Sequence, residues 1–105
     1  MRMMMEVSIP VEAGNEAART GALGASLQKI LERMKPEAAY FFAVRDGERG
    51  GFIVFDMQDT SQMPAFAEPF FLKFNAKVKF TPAMTPADLA KAGPAIESAV
   101  KAYSK

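Results

Sequence analysis

The chain has 105 residues, half of them apolar and about a quarter charged, with a formal net charge of +1. That describes one domain of ordinary soluble composition, and its cations are too scattered for the basic face that nucleic acid requires. It contains neither cysteine nor histidine, which excludes disulfides, thiolate nucleophiles, cysteine zinc sites and every Ser–His or Cys–His pair.

Any acid–base chemistry must therefore come from carboxylates, tyrosine or lysine. No metal and no cofactor is expected. The apolar run Met1-Arg2-Met3-Met4-Met5 is shorter than the core of a signal peptide, and nothing later approaches a membrane span. A cytoplasmic location without membrane contact is the expectation.

Met3 to Ile9 alternates as a strand, with Met3, Met5, Val7 and Ile9 on one face and Met4, Glu6 and Ser8 on the other. Pro10 ends it. Val11 to Thr20 is small and polar, and Gly14-Asn15 marks a turn or the cap of a short helix. After Gly21, Leu23, Leu27, Ile30, Leu31 and Met34 recur on one face of a helix, which Lys35-Pro36 stops.

Ala38 to Arg45 and Gly50 to Met57 read as two strands joined around Asp46-Gly47, a hairpin signal. A two-residue turn would put Tyr40, Phe42 and Val44 with Ile53, Phe55 and Met57 on an inward face. Phe41, Ala43 and Arg45 would then share the other face with Phe52, Val54 and Asp56. A three-residue turn would reverse that pairing.

Asp59, Thr60 and Ser61 offer N-caps for a second helix ending near Phe74. Its buried stripe is Phe66, Phe70, Phe71 and Phe74, Pro69 should bend it, and Asn75 suits the left-handed residue after it. Ala76 to Thr81 is the last strand, with Ala76, Val78 and Phe80 inward and Lys77 and Lys79 outward. Thr85-Pro86-Ala87-Asp88 looks like a helix cap. A helix to Lys91, a break at Gly93-Pro94 and a helix to Tyr103 complete a tail whose apolar edge is Ile96, Val100 and Tyr103.

The order β-α-β-β-α-β predicts an α+β, ferredoxin-like domain over residues 1–84 with a helical tail, 85–105, belonging to the same domain. Its four-stranded antiparallel sheet has the order 4-1-3-2, with both helices on one face. The helix-free face should then carry Met4, Phe41, Phe52 and Val54 among Glu6, Arg45, Asp56, Lys77 and Lys79. A solvent face would not hold two phenylalanines in its middle, and a dry core would not hold five charges. The expected partner is a second copy, sheet against sheet, with Met4, Phe41, Phe52, Val54, Lys77 and Lys79 in the interface.

The element order, with Phe52-Ile53-Val54-Phe55-Asp56 and Ala67-Glu68-Pro69-Phe70-Phe71-Leu72, resembles an uncharacterised bacterial family of the dimeric α+β barrel superfamily. The resemblance covers roughly residues 1–90. Val54-Phe55-Asp56 is also similar to a strand end of the muconolactone isomerases, which act on small lactone acids without a cofactor. Their catalytic residues have no one-to-one match in this chain, so the resemblance implies a fold and a dimer but no activity.

Four residues stand out as ligand-binding candidates, and each has a plainer alternative. Glu6 reads as a proton shuttle in a semi-enclosed barrel, or as the ion-pair partner of Lys77 or Lys79. Tyr40 reads as a phenol donor to a ligand between sheet and helices, or as a core tyrosine with a backbone partner. Asn15 reads as lining a cleft after the first strand, or as a helix cap. Glu68 reads as the edge of a cleft opened by Pro69, or as an exposed helix residue. Asp56 and Asp59 make a poor metal pair without histidine.

Two functions follow from this pattern. The plainer is a non-catalytic homodimer that takes a small apolar or aromatic acid. The alternative is a cofactor-independent isomerase or monooxygenase acting on a small cyclic substrate. A site built from Glu6 and Tyr40 requires both on one face of the sheet.

Overall fold

Alternation along the first strand is what organises the molecule. In the computed structural model, which describes residues 1–43 and 45–105 with Ala43 and Arg45 described by backbone alone, β1 (Arg2–Ile9) buries every second residue. Met3, Met5, Val7 and Ile9 point under the helices and are at most 3% exposed. β1 is paired on both sides, with β3 (Arg49–Asp56) and with β4 (Lys77–Pro82), both antiparallel. β2 (Ala38–Ala43) closes the other edge, giving the order β2-β3-β1-β4. This is the ferredoxin-like 4-1-3-2 sheet expected from the element order.

The first helical segment is longer than its composition suggested. It splits into α1 (Val11–Arg19) and α2 (Ala22–Met34), broken at Gly21, whose φ of 78° is left-handed. Gly14 and Asn15 lie inside α1, which starts directly after Pro10. They therefore form neither a turn nor a cap. α3 (Met63–Phe74) follows a 3-10 turn capped by Asp59, and Asn75 ends it with a left-handed φ of 53°.

The core lies between the sheet and these helices. Phe55, Phe70, Phe74, Met3, Met5, Ile53 and Met57 are fully buried, each contributing about 1.5–3 kcal/mol of transfer free energy. Phe55 packs its ring 4.3 Å from Phe66 and 6.3 Å from Phe80. Phe71, expected in the same stripe, is 41% exposed.

The β2–β3 connection corrects the expected faces. Asp46 and Gly47 do adopt the left-handed conformations of a tight turn, with φ of 59° and 73°. Pairing nevertheless stops at Ala43 opposite Arg49, which leaves the five residues 44–48 between the strands. An odd connection reverses the parity of a two-residue one. Tyr40 therefore lies opposite Phe52, and Phe41 opposite Gly51. Phe41 belongs to the helix side, while Tyr40 and Phe42 take the place on the helix-free face that was expected for Phe41. The expected placements of Val44 and of the Ala43 and Arg45 side chains lie outside the described residues.

β3 accommodates this through two glycines. Gly51 is buried, and a Cβ there would collide with the carbonyl oxygen of Tyr40. Close backbone approach of this kind admits only glycine. Gly50 lies opposite Phe42 and adds no side chain, and Phe42 rests 5.1 Å from the ring of Phe52.

The tail behaves differently from the body. α4 (Pro86–Lys91) opens with a complete capping box: the Thr85 hydroxyl accepts from Asp88 N–H at 3.1 Å, and the Asp88 carboxylate accepts from Thr85 N–H at 3.0 Å. Asp88 also lies 3.7 Å from Arg2, which bonds Glu37 at 2.8 Å. These bonds to Thr85, then Arg2, hold the Asp88 carboxyl below its usual pKa. α5 (Gly93–Tyr103) has no buried residue. Among the described residues no helix is long and apolar enough to cross a membrane.

Candidate functional site

The candidate site forms where β3 begins and lacks side chains. Gly50 and Gly51 line a cavity of about 230 Å³ between the sheet and the helices. Its walls are Val7, Ile9 and Ile53 from the sheet, Leu23 and Leu27 from α2, and Phe70 from α3, with Phe41 at the β2 side. Every one of these is apolar.

One charged side chain joins that lining. Arg49, the exposed first residue of β3, has the inward parity of Gly51, Ile53 and Phe55, and its stem passes over α1. It crosses Gly14 so closely that a Cβ there would be 2.9 Å from Nη1 and 3.3 Å from Cδ. Its Nη1 donates to Asn15 Oδ1 at 2.8 Å. Gly14 thus makes room for the guanidinium and Asn15 holds it. Since a guanidinium carries five N–H donors, the bond to Asn15 leaves others for a ligand at the cavity mouth.

Asn15 does not line the cavity; its contact with it runs through Arg49. Arg49 was not among the sequence candidates. Beginning the strand at Gly50 placed it in the turn; extending the inward alternation back by two residues from Gly51 would have found it.

Glu6 and Tyr40 lie elsewhere, on the helix-free face. A row across the sheet runs Tyr40, Phe52, Glu6, Lys79, so Glu6 and Tyr40 share a face with Phe52 between them. Two strand spacings separate their backbones, about 10 Å. Tyr40 is 67% exposed, not placed between sheet and helices as expected. Glu6 lies in a polar depression of about 250 Å³ with Ser8, Glu48, Lys77 and Lys79. There the Ser8 hydroxyl donates to Glu48 Oε1 at 2.6 Å. The face is divided, with Tyr40, Phe42, Phe52, Val54 and Met4 on the β2 side and the charged residues toward β4.

Glu68 is brought to neither place. It is exposed on α3 and lines none of these cavities. A third hollow, about 530 Å³, runs between α2 and α3 beside Pro69, with Ile30 and Phe66 in its floor and Lys29, Arg33 and Lys73 around it. Asp56 and Asp59 have separate tasks: Asp56 Oδ1 is 2.9 Å from the terminal ammonium of Met1, and Asp59 caps the turn before α3.

A family model described as "Domain of unknown function (DUF3303)" matches residues 1–97. No curated protein matches the sequence. Among solved structures, a formyltetrahydrofolate deformylase from Pseudomonas putida KT2440 is similar at a TM-score of 0.48 and 14% identity. The match covers 79% of this chain and 29% of that one, so the chain spans under a third of that enzyme's length.

Proposed function

We propose, for a chain that belongs to the DUF3303 family of domains of unknown function, that it binds a small apolar or aromatic carboxylic acid without turning it over. The observation that carries this reading is Arg49 as the charged member of an otherwise apolar lining. An apolar body fills the space over Gly50 and Gly51, and the carboxylate meets the guanidinium that Asn15 orients. Charge-assisted bonds to a planar guanidinium favour a carboxylate over a neutral group of the same shape. The volume suits one ring or a short branched chain.

The test uses phenylacetate and its uncharged counterpart 2-phenylethanol, titrated against labelled protein by NMR. Phenylacetate should shift the amides of Gly50, Gly51 and Val7 and bind at least several-fold more tightly than the alcohol. Arg49→Met should abolish that preference. Equal affinity for the two probes, or shifts confined to the helix-free face, would refute the reading.

The protein acts as a homodimer of the dimeric α+β barrel type, its helix-free faces opposed. Exposed Tyr40 and Phe42, with Met4, Phe52 and Val54 beside them and Lys77 and Lys79 toward the rim, support that pairing. Light scattering of Phe52→Glu should give half the mass of the parent protein; an unchanged mass would count against this interface.

The common face of Glu6 and Tyr40 supports a second reading, a cofactor-independent isomerase or monooxygenase on a small cyclic substrate enclosed by two such faces. Its first step would be proton transfer at Glu6. Deuterium wash-in from D2O into a panel of small lactones, lost in Glu6→Gln, would favour it; no exchange above buffer would end it.

A further inference from the structure

A helix of 11 residues is marginal alone in water, since nucleation is costly and few bonds repay it. Yet α5 spans 11 residues, Gly93–Tyr103, and every one of them is exposed. Its apolar edge is continuous at helical spacing: Ile96 is 52% exposed, Val100 53% and Tyr103 87%. It makes no extensive packing with the sheet or with α1–α3.

The dimensions say the same of the whole chain. The radius of gyration is 17.4 Å and the longest extent 59 Å, where a compact chain of this length has a radius near 13 Å. The accessible surface is 7309 Å², roughly 1,500 Å² above what a folded monomer of this mass presents. An obligate homodimer hides about 1,000–2,500 Å² per subunit. The surplus on one chain therefore matches what a second copy would cover.

We propose that α5 is an exchanged arm: in the homodimer, each α5 packs along the β2 edge of the other protomer's helix-free face. Ile96, Val100 and Tyr103 meet Tyr40 and Phe42 there. Both surfaces are exposed on the single chain, and a second copy covers each with the other. Exposure favours this target over the hollow between α2 and α3: Ile30 and Phe66 in that hollow already pack in the chain's own core, whereas Tyr40 and Phe42, on the edge strand β2, are 67% and 42% exposed.

This rests on the homodimer proposed above, and its test separates the two. The chain has no cysteine, so two introduced thiols are the only ones present. Chains carrying Tyr103→Cys and Tyr40→Cys, one with a size tag, are co-expressed and oxidised. A mixed disulfide between chains is expected, and light scattering of the full-length Ile96→Glu/Val100→Glu variant should show the dimer dissociation constant raised at least tenfold. Circular dichroism and melting check that the variant's body stays folded. A dimer that persists in that variant, with no mixed disulfide, would overturn the arm and leave the face-to-face dimer standing. A monomeric parent protein at 100 μM would overturn both.

Discussion

Replacing Gly51 with alanine should destabilise the protein, while the same change at Gly24 should stabilise it. At Gly51 the new methyl meets the Tyr40 carbonyl oxygen and lies 3.0 Å from the Phe41 Cα, both backbone atoms of the paired strand. They cannot rotate away, so β2 and β3 must part or shift. Overpacking typically costs about 1–3 kcal/mol, and a backbone obstacle puts this case toward the upper end. The alanine also restricts the unfolded chain, which returns about 0.4–1 kcal/mol. The net loss is then about 2 kcal/mol, or ~10 °C in melting temperature for a domain of this size.

Gly24 sits within α2 with nothing within 4 Å of its Cβ position. Alanine there should add about 0.5–1 kcal/mol through helix propensity and lost unfolded-state entropy. Urea melts of both variants at one protein concentration give the comparison, with unchanged slopes showing that only stability moved. If Gly51→Ala were as stable as the parent protein, the close approach of β2 to β3 would be wrong. The assignment of Tyr40 and Phe42 to the helix-free face would lose its support with it.

Three further outcomes follow. Asn15→Ala removes the 2.8 Å partner of Arg49 and should weaken phenylacetate binding several-fold while leaving 2-phenylethanol binding unchanged, as read by NMR titration. Gly14→Ala should act in the same direction, because the methyl would meet Arg49 Nη1 and Cδ and displace the guanidinium from the cavity mouth. For the α4 cap, the Asp88 carboxyl is held below its usual value by its bonds to Thr85. A depressed folded pKa gives a contribution that is complete above about pH 4 and lost as pH falls through the lower folded value. Carboxyl carbon shifts of Asp88 should titrate below those of an exposed aspartate, and α4 amide shifts should follow the same curve.

Much of the site's surroundings could be read from residue order, and the point where reading stopped is specific. Met3 to Ile9 alternates, so its buried face was legible; Lys77 and Lys79 were placed outward for the same reason. Asn75 and the Thr85–Asp88 cap were legible because their chemistry is local. The error at β2 came from the hairpin. Asp46-Gly47 correctly signals left-handed residues, but it does not say how many flanking residues stay unpaired. One residue more or less reverses every side chain of an edge strand. Arg49 was missed through the same boundary, since starting β3 at Gly50 hides the inward parity of the residue before it.

Local patterning, which depends only on near neighbours in the chain, determined the four strands, the core stripe of α2, and the caps at Asp59, Asn75 and Thr85. Tertiary structure alone decided three things. It set the β2 register, placed Arg49 over Gly14 and within reach of Asn15, and left α5 without a buried residue. Each depends on how separate elements of the chain meet in space, through a steric fit at Gly51 or Gly14 or through a surface that its own chain does not cover. Neither kind of information is carried by the spacing of residues within one segment.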